Sequence, residues 1–171
     1  MELVIRDTVV TKEVSNSMRI NMHATPAQQR WGITLLRGIV GAVFLAHGLQ
    51  KIAVMGMPAV AAFMEQVGIP LPMASAILVT AVETACGVAL MLGLLTRWAA
   101  IPLAINMLVA MTVVHLPAGF FLPNGIEYTL TLLAGCIALS LLGPGAFALD
   151  NVIFGGRDQT RAAGHSRAKA A

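Results

Sequence analysis

Four long apolar stretches, at residues 31–50, 73–95, 98–116 and 126–142, alternate along this chain with short breaks rich in polar residues, Gly and Pro. At about 1.5 Å of rise per residue, helices of this size are on the scale of a hydrocarbon core about 30 Å thick. Backbone in lipid has to satisfy its own hydrogen bonds, so each stretch is predicted to be a helix. The period-two alternation of a membrane β-barrel is absent from these stretches. Residues 51–72 form the longest connection. Within it Pro58 opens a short helix, with Val60, Phe63, Met64 and Val67 at helical spacing, predicted to lie on the outer interface. Gly68-Ile69-Pro70-Leu71-Pro72 ends that helix, and Gly143-Pro144-Gly145 stops the fourth stretch. The expected fold is an all-α membrane protein, a four-transmembrane-helix bundle with a short interfacial helix in the first outer loop.

The expected organisation is a polar N-terminal extension at 1–30, a membrane domain at 31–150 and a basic tail at 151–171. The extension lacks a sustained helical stripe and is expected to be loose. Met18 and Met22 are alternative starts to Met1. The Gly/Arg/Ala/Lys-rich residues 156–171 are expected to be disordered.

Composition strengthens the membrane reading. Only 11% of residues are charged, against about 25% in a soluble domain, too few to cover a water-facing surface. The net charge of +3 resides mainly in the two tails, without interleaved aromatics, which argues for topology and against nucleic acid. With Arg97 in the second break and only Lys51 in the other two, the positive-inside rule places both termini in the cytoplasm. The first stretch is too long for a signal-peptide core, and it contains Arg37. Cys86 and Cys136 form no C-x-x-C or zinc spacing and read as small buried residues, which a bridge would join only if their helices abut.

Ionisable groups inside the apolar stretches carry the chemical signal, because a charge in hydrocarbon costs roughly 2.5–3.5 kcal/mol even on a mild scale. Arg37, His47 and Lys51 share one helical face, with Lys51 about 40° and His47 about 80° from Arg37. Gly38, Ala42 and Ala46 make a small-xxx-small row that allows close helix approach. Arg37 and Glu83, about 9 Å apart in depth at helical rise, are expected to form an ion pair. Its bland role is to fix helix register; its functional role is a proton or anion site.

A second, outer cluster joins His47, Gln50 and Lys51 to His115, Glu127 and Tyr128. Glu127 in a first helical turn is also favoured by the helix dipole alone. Three readings stay open for the histidines: capping loops, binding a quinone head group or relaying protons, and ligating haem or a metal with Glu127. No His-x3-His or Glu-x-x-His pair sets ligand geometry, so no metal site is expected. Asn106 falls nearly opposite His115 on a regular helix, which assigns it to interhelical hydrogen bonding instead.

Leu45-Ala46-His47-Gly48-Leu49-Gln50-Lys51, Gly68-Ile69-Pro70, and Glu83 with Gly87 resemble the DoxX family of small membrane proteins. So do His115-Leu116-Pro117-Ala118-Gly119-Phe120-Phe121, Gly125-Ile126-Glu127-Tyr128 and Gly143-Pro144-Gly145 before Leu149-Asp150. The resemblance implies a multi-pass protein of the bacterial inner membrane. Its relatives include a subunit of a thiosulfate:quinone oxidoreductase and proteins linked to oxidative and thiol stress. It marks Arg37, His47, Lys51, Glu83, His115, Glu127 and Tyr128 without giving them roles.

The function expected on these grounds is an accessory, redox-linked and quinone-associated membrane subunit rather than a self-contained oxidoreductase. The alternatives are a scaffold recruiting stress or redox enzymes and a small oligomeric transporter. The expected partners are the lipid bilayer, a redox or stress-response protein and further copies of the chain.

Overall fold

Thr25 caps the first helix among the described residues, and the rest of the fold depends on how that helix meets its neighbours. The computed structural model describes residues 24–154. The Thr25 hydroxyl accepts from the Gln28 amide at 3.3 Å, while the Gln28 side chain accepts from the Thr25 amide at 2.8 Å. This reciprocal cap, with Pro26 behind it, satisfies donors that a helix start leaves open. Helix α1 therefore begins at Pro26 and runs to Gln50. Residues 26–30 thus belong to the bundle and not to a loose extension. The choice among Met1, Met18 and Met22 and the character of 156–171 lie outside the described residues.

α1 continues into a π turn, Lys51–Met55, closed by a bond from the Gly56 amide to the Lys51 carbonyl at 3.0 Å. Gly56 then turns the chain with φ +77°, a conformation that suits glycine. α2, Met57–Gln66, packs Val60, Ala61 and Met64 against Ala76 of the next helix. α3 spans Pro72–Leu92 and α4 spans Thr96–Val109. α4 too passes into a π turn, Ala110–His115, with the Leu116 amide bonded to the Met111 carbonyl. α5 covers Glu127–Leu142, and the short α6 covers Leu149–Ile153.

Among the described residues, three segments are long and apolar enough to cross a membrane: Pro26–Met55, Pro72–Leu92 and Thr96–Ala118. α5 is apolar but has 16 residues, about 24 Å at helical rise. The protein is an all-α, multi-pass membrane protein in which α2 is a short interfacial-type helix.

α1 and α3 approach unusually closely. A Cβ on Gly41 would come within 2.9 Å of the Gly87 carbonyl, and one on Gly87 within 2.7 Å of the Leu45 amide. One on Gly48 would overlap the Thr84 hydroxyl. Gly41 and Gly48 make this seam, whereas Gly38 has open space around it and Ala42 and Ala46 are exposed. The Gly38 row therefore points away from the close contact. Phe44, Leu90, Leu103, Cys136 and Leu139 fill the interior between the helices.

After Gly143 the chain folds back across the end of the bundle that holds the start of α1. The Ala146 amide donates to the Thr34 hydroxyl at 2.8 Å, and the Arg37 guanidinium donates to the Phe147 carbonyl at 3.2 Å. The Asp150 carboxylate accepts from the Leu95 and Thr96 amides at 2.6 and 2.9 Å, capping α4 from 54 residues away in sequence.

Candidate functional site

The glycine seam sets the register of α1 on α3, and the register decides which charges meet. With Gly41 against Gly87 and Gly48 against Thr84, Arg37 falls level with Gly93, whose added Cβ would overlap the guanidinium. Glu83 falls level with the far end of α1. Arg37 and Glu83 are thus about ten residues of α3 apart in depth, or about 15 Å. The expected Arg37–Glu83 pair does not form: Arg37 turns to the carbonyls of Ala146 and Phe147, and Glu83 pairs with Lys51. The Glu83 side chain is 5% exposed and that of Lys51 18%, so this ion pair is largely withdrawn from solvent. Asn106 of α4 donates to the other Glu83 oxygen at 3.0 Å. A buried carboxylate is tolerated on these terms, with a counter-charge and a further hydrogen bond.

Above the Lys51–Glu83 pair lies a cavity of about 440 Å³. Its walls are mainly apolar, including Phe44, Met64, Met107 and Leu132. Its polar lining includes His47, Lys51, Glu83, Asn106, His115 and Tyr128, with Asn124 and Thr129 beside them. The His47 and Tyr128 rings are 6.3 Å apart, centroid to centroid, at an interplanar angle of 50°.

Four members of the expected outer cluster, His47, Lys51, His115 and Tyr128, line this one cavity. Gln50 and Glu127 do not. Gln50 is exposed at the end of α1. Glu127 accepts from the Leu122 amide at 3.0 Å and so holds the loop before α5.

Asn106 corrects a second expectation, because it shares the cavity with His115. The π turn at Ala110–His115 accommodates one extra residue, which rotates the positions beyond it by about 100° relative to a continuous α-helix. Two positions nearly opposite on a regular helix thereby come to about 80° apart. That local change of pitch hides the involvement of Asn106 from a reading based on regular helical spacing.

Cys86 and Cys136 are unbridged. Among the described residues, no group of three His, Cys, Asp or Glu side chains is placed to hold a metal. A hollow of about 460 Å³ at the opposite end is bordered by Arg97, Trp98 and Asp150, but Asp150 there is committed to the α4 amides.

A membrane-embedded helical bundle with a polar-floored, apolar-walled cavity defines the class of this protein. Residues 32–116 match the DoxX family, and the chain belongs to it. It is 36% identical over 129 residues to an uncharacterized membrane protein of Mycobacterium tuberculosis, Rv3486, covering 69% of this chain and 78% of that protein. It is also 36% identical over 126 residues to CatD of Bacillus subtilis, a protein provisionally named as an oxidoreductase, covering 74% of this chain and 90% of that one. No solved structure matches the chain.

Proposed function

We propose that the protein is a redox-linked, accessory subunit of the bacterial inner membrane whose cavity receives a quinone ring. One observation carries this reading. The cavity sets apolar walls above a floor of fixed donors and acceptors, the general form of a site for a small amphipathic ligand. The donor set fits the group. The Lys51 ammonium retains donors beyond the one given to Glu83, and the Tyr128 hydroxyl is a second donor for a ring carbonyl. A bound quinone would supply two-electron, two-proton chemistry. Phe44, Met107 and Leu132 would hold the ring and exclude water, while Glu83 orients Lys51. The provisional naming of CatD as an oxidoreductase agrees with this reading.

The same proposal takes α5 as a fourth span, met by thinning of the bilayer or by its flanking loops. The start of α1, the Arg97 turn and the segment after Gly143 gather at one end, since Gly145 lies against Arg30 and Gly143 against Arg97. The positive-inside rule assigns that end to the cytoplasm.

Calorimetric titration of the full chain in mild detergent with a short-chain benzoquinone tests the function. Saturable binding that weakens on Lys51→Met is expected. Absence of binding at the solubility limit would defeat the reading.

A further inference from the structure

His115 Nδ1 lies 2.8 Å from the backbone carbonyl oxygen of Asn124. A carbonyl oxygen only accepts, so Nδ1 must carry the hydrogen of this bond. The tautomer is assigned from that partner. In a neutral imidazole this leaves Nε2 unprotonated, an acceptor on a ring that lines the cavity. Of the other polar groups around the cavity, Lys51, Glu83 and Asn106 are engaged with one another. Lys51 is a cation, Asn106 gives its amide to Glu83, and both Glu83 oxygens have partners. The π turn that carries His115 into this wall also fixes its helix-end position beside the Asn124 loop.

We propose that His115 makes the cavity selective for the hydroxyl-bearing, reduced form of an aromatic ring ligand, a hydroquinone over the corresponding quinone. A hydroquinone hydroxyl donates to Nε2, whereas a quinone carbonyl at the same place would set acceptor against acceptor. Lys51 serves either form, because an ammonium can donate to a hydroxyl oxygen as well as to a carbonyl. The backbone partner at Asn124 therefore determines, through the imidazole, which oxidation state the site prefers. This selectivity rests on the quinone reading of the same cavity.

The test measures binding of a short-chain benzoquinone and, without oxygen, of its hydroquinone to the full chain in mild detergent. The wild type should bind the hydroquinone more tightly by about five- to tenfold, the worth of one hydrogen bond. His115→Phe should abolish that preference by lowering hydroquinone affinity more than quinone affinity. In parallel, nitrogen NMR of the histidine-labelled wild type should show His115 protonated at Nδ1 and bare at Nε2. If both forms bind but His115→Phe keeps the preference, or weakens both equally, the selectivity is wrong and the quinone reading stands. Protonation at Nε2 in the wild type would likewise overturn it, whether or not the variant folds. If neither form binds the wild type, the quinone reading falls and the selectivity with it.

Discussion

Gly48 lies against Thr84, and this contact brings Lys51, at the start of the π turn that follows α1, to Glu83, the residue before Thr84. A side chain at Gly48 would meet the Thr84 hydroxyl and come within 2.9 Å of its amide. Gly48→Val should therefore push α1 from α3 and destabilise the protein by about 1–3 kcal/mol, the usual range for overpacking. Gly38→Ala, in open space, should be neutral or slightly stabilising through helix propensity. Thermal unfolding of both variants in one detergent checks the contrast. Equal effects would show that the seam does not set the register.

Removing one member of the Lys51–Glu83 pair should cost more than removing both. Lys51→Met leaves a carboxylate that is 5% exposed with Asn106 alone. Breaking a largely buried pair from one side is expected to cost about 3 kcal/mol. Lys51→Met/Glu83→Leu should recover much of that loss. A double-mutant cycle on denaturation measures the coupling, and simple additivity would mean that the pair contributes nothing as a pair.

Asp150 holds the C-terminal segment to the start of α4 through two backbone amides. Asp150→Ala should cost about 1–2 kcal/mol, as for loss of a strong helix cap. Hydrogen exchange should rise at Leu95 and Thr96 first. Unchanged protection there would separate Asp150 from the stability of that helix end.

Glu127 provides the opposite case, a carboxylate near the cavity whose bond runs to a loop amide. Glu127→Gln should leave benzoquinone affinity within about twofold, while raising exchange at Leu122; loss of one such charge-assisted bond is worth about 1.5–3 kcal/mol at most. A large loss of affinity would move Glu127 into the ligand site.

The apolar stretches make the helices legible, since their lengths and Gly/Pro breaks are visible without any contact. The short helix at Met57–Gln66 is legible for the same reason. The expected Arg37–Glu83 pairing fails because it relies on an assumed depth, and depth here is set by two glycines meeting specific partners on α3. Composition does not single out Gly41 and Gly48 from Gly38. The start of α1 is hard to see because polar residues 26–30 show no apolar stripe, although the Thr25-x-x-Gln28 cap is there to be read. Interhelical bonding by Asn106 agrees with the reading of the sequence. Its nearness to His115 does not, since a regular 3.6-residue pitch hides a π turn.

The widened turn at Ala110–His115 also makes chain length part of the site's specification. Deleting a single residue from that stretch would let α4 run on as an ordinary helix, with no side chain of the cavity altered. His115 would then stand eight residues from Asn106 and still about 80° from it around the helix, the relation that the π turn achieves with nine. Among related chains, the nine-residue interval from Asn106 to His115 thus calls for the widened turn, and an eight-residue interval does without it. A sequence that keeps the nine-residue interval but runs straight through it as an ordinary helix has kept the letters and turned these two side chains apart.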